Sequence, residues 1–67
     1  MGIAKNVARN LHELRLQRKL SQQALARKAG ISVSYVSMLE RGQRTPPLET
    51  LEVMAKVLRV SPVQLLS

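Results

Sequence analysis

Residues 20–42 read LSQQALARKAGISVSYVSMLERG, and the order of small, apolar and turn-forming residues in this stretch decides the fold. Ser21 stands where an N-cap belongs, because its hydroxyl can accept from an otherwise unpaired N–H of the first helical turn. Ala24, Leu25 and Ala26 follow as good helix formers, and Gly30 ends the run at a position suited to left-handed backbone. Only Gly30, Ile31 and Ser32 separate this helix from the next. Ser32 repeats the cap signal, Val36 and Leu39 share one helical face, and Gly42 stops the segment. Ile31 can point inward and pin the two helices together. The outline is short helix, glycine turn, short helix, which any small helical bundle can contain.

Working outward, the same period continues on both sides. Upstream, Ile3, Val7, Leu11 and Leu14 recur at spacings of four, four and three, marking one face of a helix from Ile3 to Arg18. Downstream, Gly42 to Pro47 reads as a loop, with Thr45 as a cap candidate and Pro46 or Pro47 suited to a first turn. Leu48, Leu51, Met54, Ala55 and Leu58 form a further apolar stripe, and Ser61-Pro62 opens a last short helix holding Val63, Leu65 and Leu66. Sustained period-two alternation is absent, so no sheet is expected. The expected fold is all-α: a compact five-helix bundle in a single domain over residues 1–67, with helices near 3–18, 22–29, 33–41, 47–58 and 62–66.

Composition narrows the function. A chain of 67 residues holds one domain, near the lower limit for an unaided core. Hydrophobic residues make up 45%, enough for a packed globule, yet Tyr35 is the single aromatic, so the core must be aliphatic. Cys is absent, which excludes a disulfide framework and a Cys-ligated zinc. His12 is the only histidine, and Glu13, Glu40, Glu49 and Glu52 are scattered. No nucleophile is paired with a base, no metal site is offered and no glycine loop could cradle a phosphate. Neither enzyme activity nor a cofactor or metal is expected. No apolar run approaches a membrane span or a signal sequence, so neither a secreted nor an integral membrane protein is expected.

Charge indicates the partner. The formal net charge is +7, and seven of the eleven basic residues, but only one of the four acidic ones, fall within residues 1–30. A field so biased suits a polyanion, with nucleic acid first and an anionic membrane surface second. Gly30, Gly42 and Pro46-Pro47 interrupt any long amphipathic helix, which argues against a membrane-active peptide.

Three spaced signatures make the outline specific. Leu20-Ser21-Gln22-Gln23-Ala24-Leu25-Ala26, Ala29-Gly30-Ile31-Ser32 and Tyr35-Val36-Ser37-Met38-Leu39-Glu40-Arg41-Gly42 closely resemble the phage-repressor and Cro-like helix-turn-helix family, the xenobiotic-response-element type of transcriptional regulator. Pro47, Leu48 to Leu51, Met54-Ala55, Leu58 and Val60 continue the match, and Leu11, Leu14 and Arg15 fit the family's first helix. The resemblance runs from about Val7 to Leu66. It implies a lambda-repressor-like domain that binds double-stranded DNA, commonly as a dimer, with its third helix in the major groove.

With Val36 and Leu39 facing the core, Val33, Ser34, Ser37 and Met38 lie exposed and Ser32 sits at the mouth of the helix. The resemblance makes these five the base-facing positions. Ser can donate or accept, and Val and Met can meet a thymine methyl, but no Arg, Asn or Gln stands within Ser32 to Met38. Direct readout should be modest, leaving specificity to DNA shape, water, or Arg41 and Arg44. For Ser32, capping and DNA contact are compatible.

Gln22 resembles the family's backbone-clamping glutamine, and Ser21 joins it at a helix start suited to an anion. Arg41, Gln43 and Arg44 can reach the flanking phosphates. Tyr35 could place its hydroxyl on a phosphate or fill the core. Arg9, Arg18, Lys19 and Lys28 read as solvated charges.

Arg15 and Glu40 resemble a structural ion pair of the family; the plainer reading is two unrelated surface charges. One recognition helix makes few contacts, so a homodimer on a palindromic operator is expected. Val60, Val63, Leu65 and Leu66 are the candidate interface, unless they complete the monomer's own core. Lys19 and Arg59 stand where the family often has Gly, and Ala24 leaves Ser21 without a capping-box partner. A protein-interaction module of the same fold, such as an antitoxin or bridging coactivator, is the alternative function.

Overall fold

Helix caps and aliphatic stripes set the architecture. A computed structural model describes residues 2–67 and contains α1 (Ile3–Gln17), α2 (Gln22–Ala29), α3 (Val33–Glu40), α4 (Leu48–Leu58) and α5 (Pro62–Leu66). The described residues contain no strand. The Ser21 hydroxyl accepts from Ala24 N–H at 3.0 Å, and the Ser32 hydroxyl accepts from Tyr35 N–H at 3.1 Å. Each bond satisfies a donor that helix geometry leaves unpaired. Between the two helices Gly30 adopts φ +71°, and Ile31 N–H closes back onto the Ala26 carbonyl at 3.0 Å. That left-handed residue turns the chain sharply enough to pack α3 against α2.

All five helices contribute to one aliphatic core. Val7 and Leu11 of α1 meet Leu25 and Ala26 of α2, Val36 and Leu39 of α3, Leu51, Met54, Ala55 and Leu58 of α4, and Leu65 of α5. Leu14, Leu20, Ile31, Tyr35, Val57 and Val60 pack around it half-buried. Leu, Ile and Val of this kind each gain about 1.5–3 kcal/mol from full burial, so an aliphatic set can hold the fold without aromatic bulk.

Several expectations need correction. Ile3 and Leu48 are exposed, because each occupies the first residue of its helix, beyond the reach of the opposing layer. Helix α1 stops at Gln17 and α3 at Glu40, with Arg18 and Arg41 as their C-caps. Helix α4 begins at Leu48 with Pro47 in the cap position, so Thr45 does not serve as its cap. Lys19 and Arg59 take φ +57° and +61°, so both helices end through left-handed residues despite the missing glycines. A side chain held there costs about 1 kcal/mol relative to Gly.

Leu65 is not available to a dimer interface. Its side chain is fully buried in the monomer, and Asn10 Nδ2 of α1 donates to its carbonyl at 3.0 Å. Asn6 Nδ2 also donates to the Leu66 carbonyl, so α1 ties down the end of α5. Val60 is half-buried against the core, which leaves Val63 and Leu66 on the outer side. Arg18 is likewise more than a solvated charge: its Nε donates to the Leu58 carbonyl at 2.8 Å and caps the end of α4.

Candidate nucleic-acid interface

Burial of Val36 and Leu39 fixes the rotation of α3 and therefore which residues it presents. Val33 and Ser34 are exposed, Ser37 and Met38 are half-buried, and Ser32 stands exposed at the helix start. Val33, Ser34, Ser37 and Met38 line one shallow cleft together with Arg41 beyond the end of α3 and Gln22 in the first turn of α2. The cleft thus joins the exposed side of the second motif helix to the N-terminus of the first. Apolar and hydroxyl groups make up its α3 side, while its charge comes from Arg41 and its amide from Gln22.

Other candidates lie around this cleft rather than in it. Ser21 and Ser32 each spend a lone pair on a cap, but a hydroxyl keeps its donor and a second acceptor site. Tyr35 packs half-buried against the core. Arg41 donates to Gln43 Oε1 at 3.3 Å on the exposed loop after α3, and Arg44 follows, also exposed. Among the described residues the only ion pairs are those made by Glu40. Arg41 and Arg44 therefore keep their positive charge unneutralised by protein carboxylates.

Behind the cleft lies a polar network that locks α1, α2 and α3 together. Arg15 Nε donates to Glu40 Oε2 at 2.6 Å, and a second guanidinium nitrogen donates to Oε1 at 3.1 Å. The remaining nitrogen, Nη1, donates to the Leu20 carbonyl at 2.8 Å. His12 Nδ1 lies 2.9 Å from Glu40 Oε1, and Gln22 Nε2 donates to the same oxygen at 3.2 Å. The Glu40 side chain is only 5% exposed and that of Arg15 10%. Burial alone would raise the Glu40 pKa. The hydrogen bonds from Arg15, His12 and Gln22, with the charge of Arg15, outweigh it and hold the carboxyl below its ordinary value.

His12 and the inward bond of Gln22 escape sequence reasoning. His12 precedes Arg15 by three, so the two share a helical face, and that spacing is the one signal that could have drawn His12 into the network. For Gln22 nothing in the local sequence indicates a bond to a residue eighteen positions away.

A second cleft lies at the far end of α2, lined by Arg18, Leu20, Lys28, Val57 and Arg59. Its cations stand beside the ends of α1, α2 and α4, where positive side chains offset the negative ends of helix dipoles. Among the described residues no three His, Cys, Asp or Glu side chains gather as metal ligands, and no helix is long and apolar enough to cross a membrane.

Comparison with known proteins identifies the family. Residues 11–65 match the helix-turn-helix family HTH_3. An uncharacterized HTH-type transcriptional regulator, y4dJ of Sinorhizobium fredii, is 39% identical over all of this chain and 87% of its own length. Control protein C.SmaI of Serratia marcescens is 36% identical over all of this chain and 80% of its own length. The crystal structure of the restriction-modification controller protein C.AhdI from Aeromonas hydrophila superimposes with a TM-score of 0.88 at 37% identity, covering 92% of this chain and 94% of that one. The chain belongs to the helix-turn-helix family of transcriptional regulators.

Proposed function

We propose that this DNA-binding regulator acts as a homodimer on a two-fold symmetric operator, with α3 of each protomer in the major groove. The observation that carries the reading is the cleft that Gln22 and Arg41 line together with Val33, Ser34, Ser37 and Met38. In it, the exposed side of α3 meets base edges while Gln22 and Arg41 reach for the backbone. Ser32 joins the base-facing set at the helix mouth. Ser21, Gln22, Tyr35, Arg41, Gln43 and Arg44 make the phosphate-facing set, and the unneutralised charge of the two arginines supports it. Base readout rests on hydroxyls and apolar contacts, so the operator is read partly through its shape.

The homodimer reading is supported by Val63 and Leu66, which remain outward when Leu65 turns into the core. Doubling one short helix across a two-fold axis also supplies the contacts a single helix lacks. The same reading places the protein in the cytoplasm, with its DNA.

The test is selection of bound duplexes from a random pool at physiological salt, with sedimentation of the protein alone and on the selected site. Enrichment of a palindrome with half-sites about one helical turn apart, bound by two chains, is the expected result. Binding without sequence enrichment that vanishes as salt rises would overturn it and favour a protein-interaction module.

A further inference from the structure

We propose that Glu40 is a positioning residue for DNA binding: its buried carboxylate holds the Gln22 side chain in the orientation that meets the DNA backbone. The proposal rests on the reading that the α3 cleft is the DNA interface. Gln22 is the first residue of α2 and is half-buried at the edge of that cleft. A long amide side chain at a helix start would otherwise sample several rotamers and lose that freedom only on binding. Here its Nε2 donates to Glu40 Oε1 at 3.2 Å.

The bond selects the amide's polarity as well as its place. An ionised carboxylate only accepts, so the NH2 group of Gln22, not its carbonyl oxygen, must turn toward Glu40. One N–H is thereby used and the second is presented from a defined position. Val33, which lines the same cleft, has no polar group that could do this instead.

Glu40 is suited to the task because its carboxylate is buried and held from several sides. Arg15 grips both of its oxygens, and the same guanidinium holds the Leu20 carbonyl, two residues before Gln22. The anchor for Gln22 is thus built from α1 and the end of α3 and referenced to the α1–α2 connection itself. With its side chain 5% exposed and its charge matched by Arg15, Glu40 neither touches DNA nor repels it strongly.

The test is a double-mutant cycle on the selected operator, with Gln22→Ala, Glu40→Gln and the double variant measured by fluorescence anisotropy. Temperatures are chosen at which circular dichroism shows each protein folded. Immobilising one such side chain is worth about a 2- to 10-fold change in Kd. Glu40→Gln is expected to weaken binding by that factor in the parent and hardly at all once Gln22 is Ala. Equal losses in both backgrounds would show that Glu40 acts through overall structure and would overturn the proposal. No loss from Gln22→Ala alone would remove Gln22 from the DNA contact and overturn it at that step, while an intact palindrome would leave the broader DNA reading standing. A second readout needs no variant of Glu40. In the free parent protein, NMR should show the two Gln22 side-chain amide protons separated from the solvent-exposed glutamines and slow to exchange. Random-coil shifts with fast exchange would overturn the proposal independently.

Discussion

Replacing Glu40 with Ala is the perturbation whose consequence the structure specifies most fully. The change strips Arg15 of two hydrogen bonds, at 2.6 and 3.1 Å, and leaves its guanidinium with the Leu20 carbonyl and a neighbouring imidazole for company. Both side chains are nearly enclosed, so solvent cannot replace what is lost. Breaking a buried pair from one side costs about 3–5 kcal/mol, because an uncompensated charge stays behind. A domain of 67 residues has a total stability of about 3–10 kcal/mol at the usual 0.05–0.15 kcal/mol per residue, so the loss takes a large fraction of it. At roughly 4–8 °C per kcal/mol for a domain of this size, Tm should fall by at least about 12 °C. Urea and thermal unfolding followed by circular dichroism measure both quantities. The control is the double variant Arg15→Met/Glu40→Met, which removes both charges and should be within about 2 kcal/mol of the parent or better. A Glu40→Ala protein within about 1 kcal/mol of the parent would refute the reasoning, as would a double variant no more stable than the single one.

Other predictions follow from the same geometry. Because the folded pKa of Glu40 lies below its unfolded value, the stability it contributes is complete above the ordinary carboxylate range and is lost as pH falls through the folded value. Urea midpoints should therefore drop between neutral pH and pH values under 4.5 in the parent, and less steeply in Glu40→Gln. Lys19→Gly should stabilise the protein by up to about 1 kcal/mol, since relief of left-handed strain is partly offset by the greater freedom of glycine in the unfolded chain. A lowered Tm in that variant would mean that the Lys19 side chain makes a compensating contact. Arg44→Ala should weaken binding to all duplexes alike and reduce the slope of log K against log salt by about 1, as expected for one phosphate contact. A change in the enriched sequence instead would assign Arg44 to a base.

The helices are legible in this chain because their signals are local. Ser21, Gly30 and Ser32 act on backbone groups within one turn of themselves, so the ends of α2 and the start of α3 can be read without any tertiary information. The exposed side of α3 follows from Val36 and Leu39 for the same reason. Less legible are residues at helix ends, where periodicity cannot tell inside from outside. Ile3 and Leu48 carry the period of their stripes yet lie beyond the core, and Pro47 takes a cap position for which the Thr45 hydroxyl is chemically better fitted.

By itself the sequence determined an all-helical domain with an aliphatic core, a two-helix motif joined by Gly30, a strongly positive charge and the identity of the groups that α3 can offer. All of these depend on residue type and on spacings of a few positions. Only the tertiary structure decided which long-range partners meet. It buried Leu65 under α1 while leaving Val63 and Leu66 outside, turned Arg18 onto the Leu58 carbonyl, and brought His12, Arg15 and Gln22 to one carboxylate. These outcomes depend on how whole helices cross, which is set by the summed packing of the core and has no signature within any single turn.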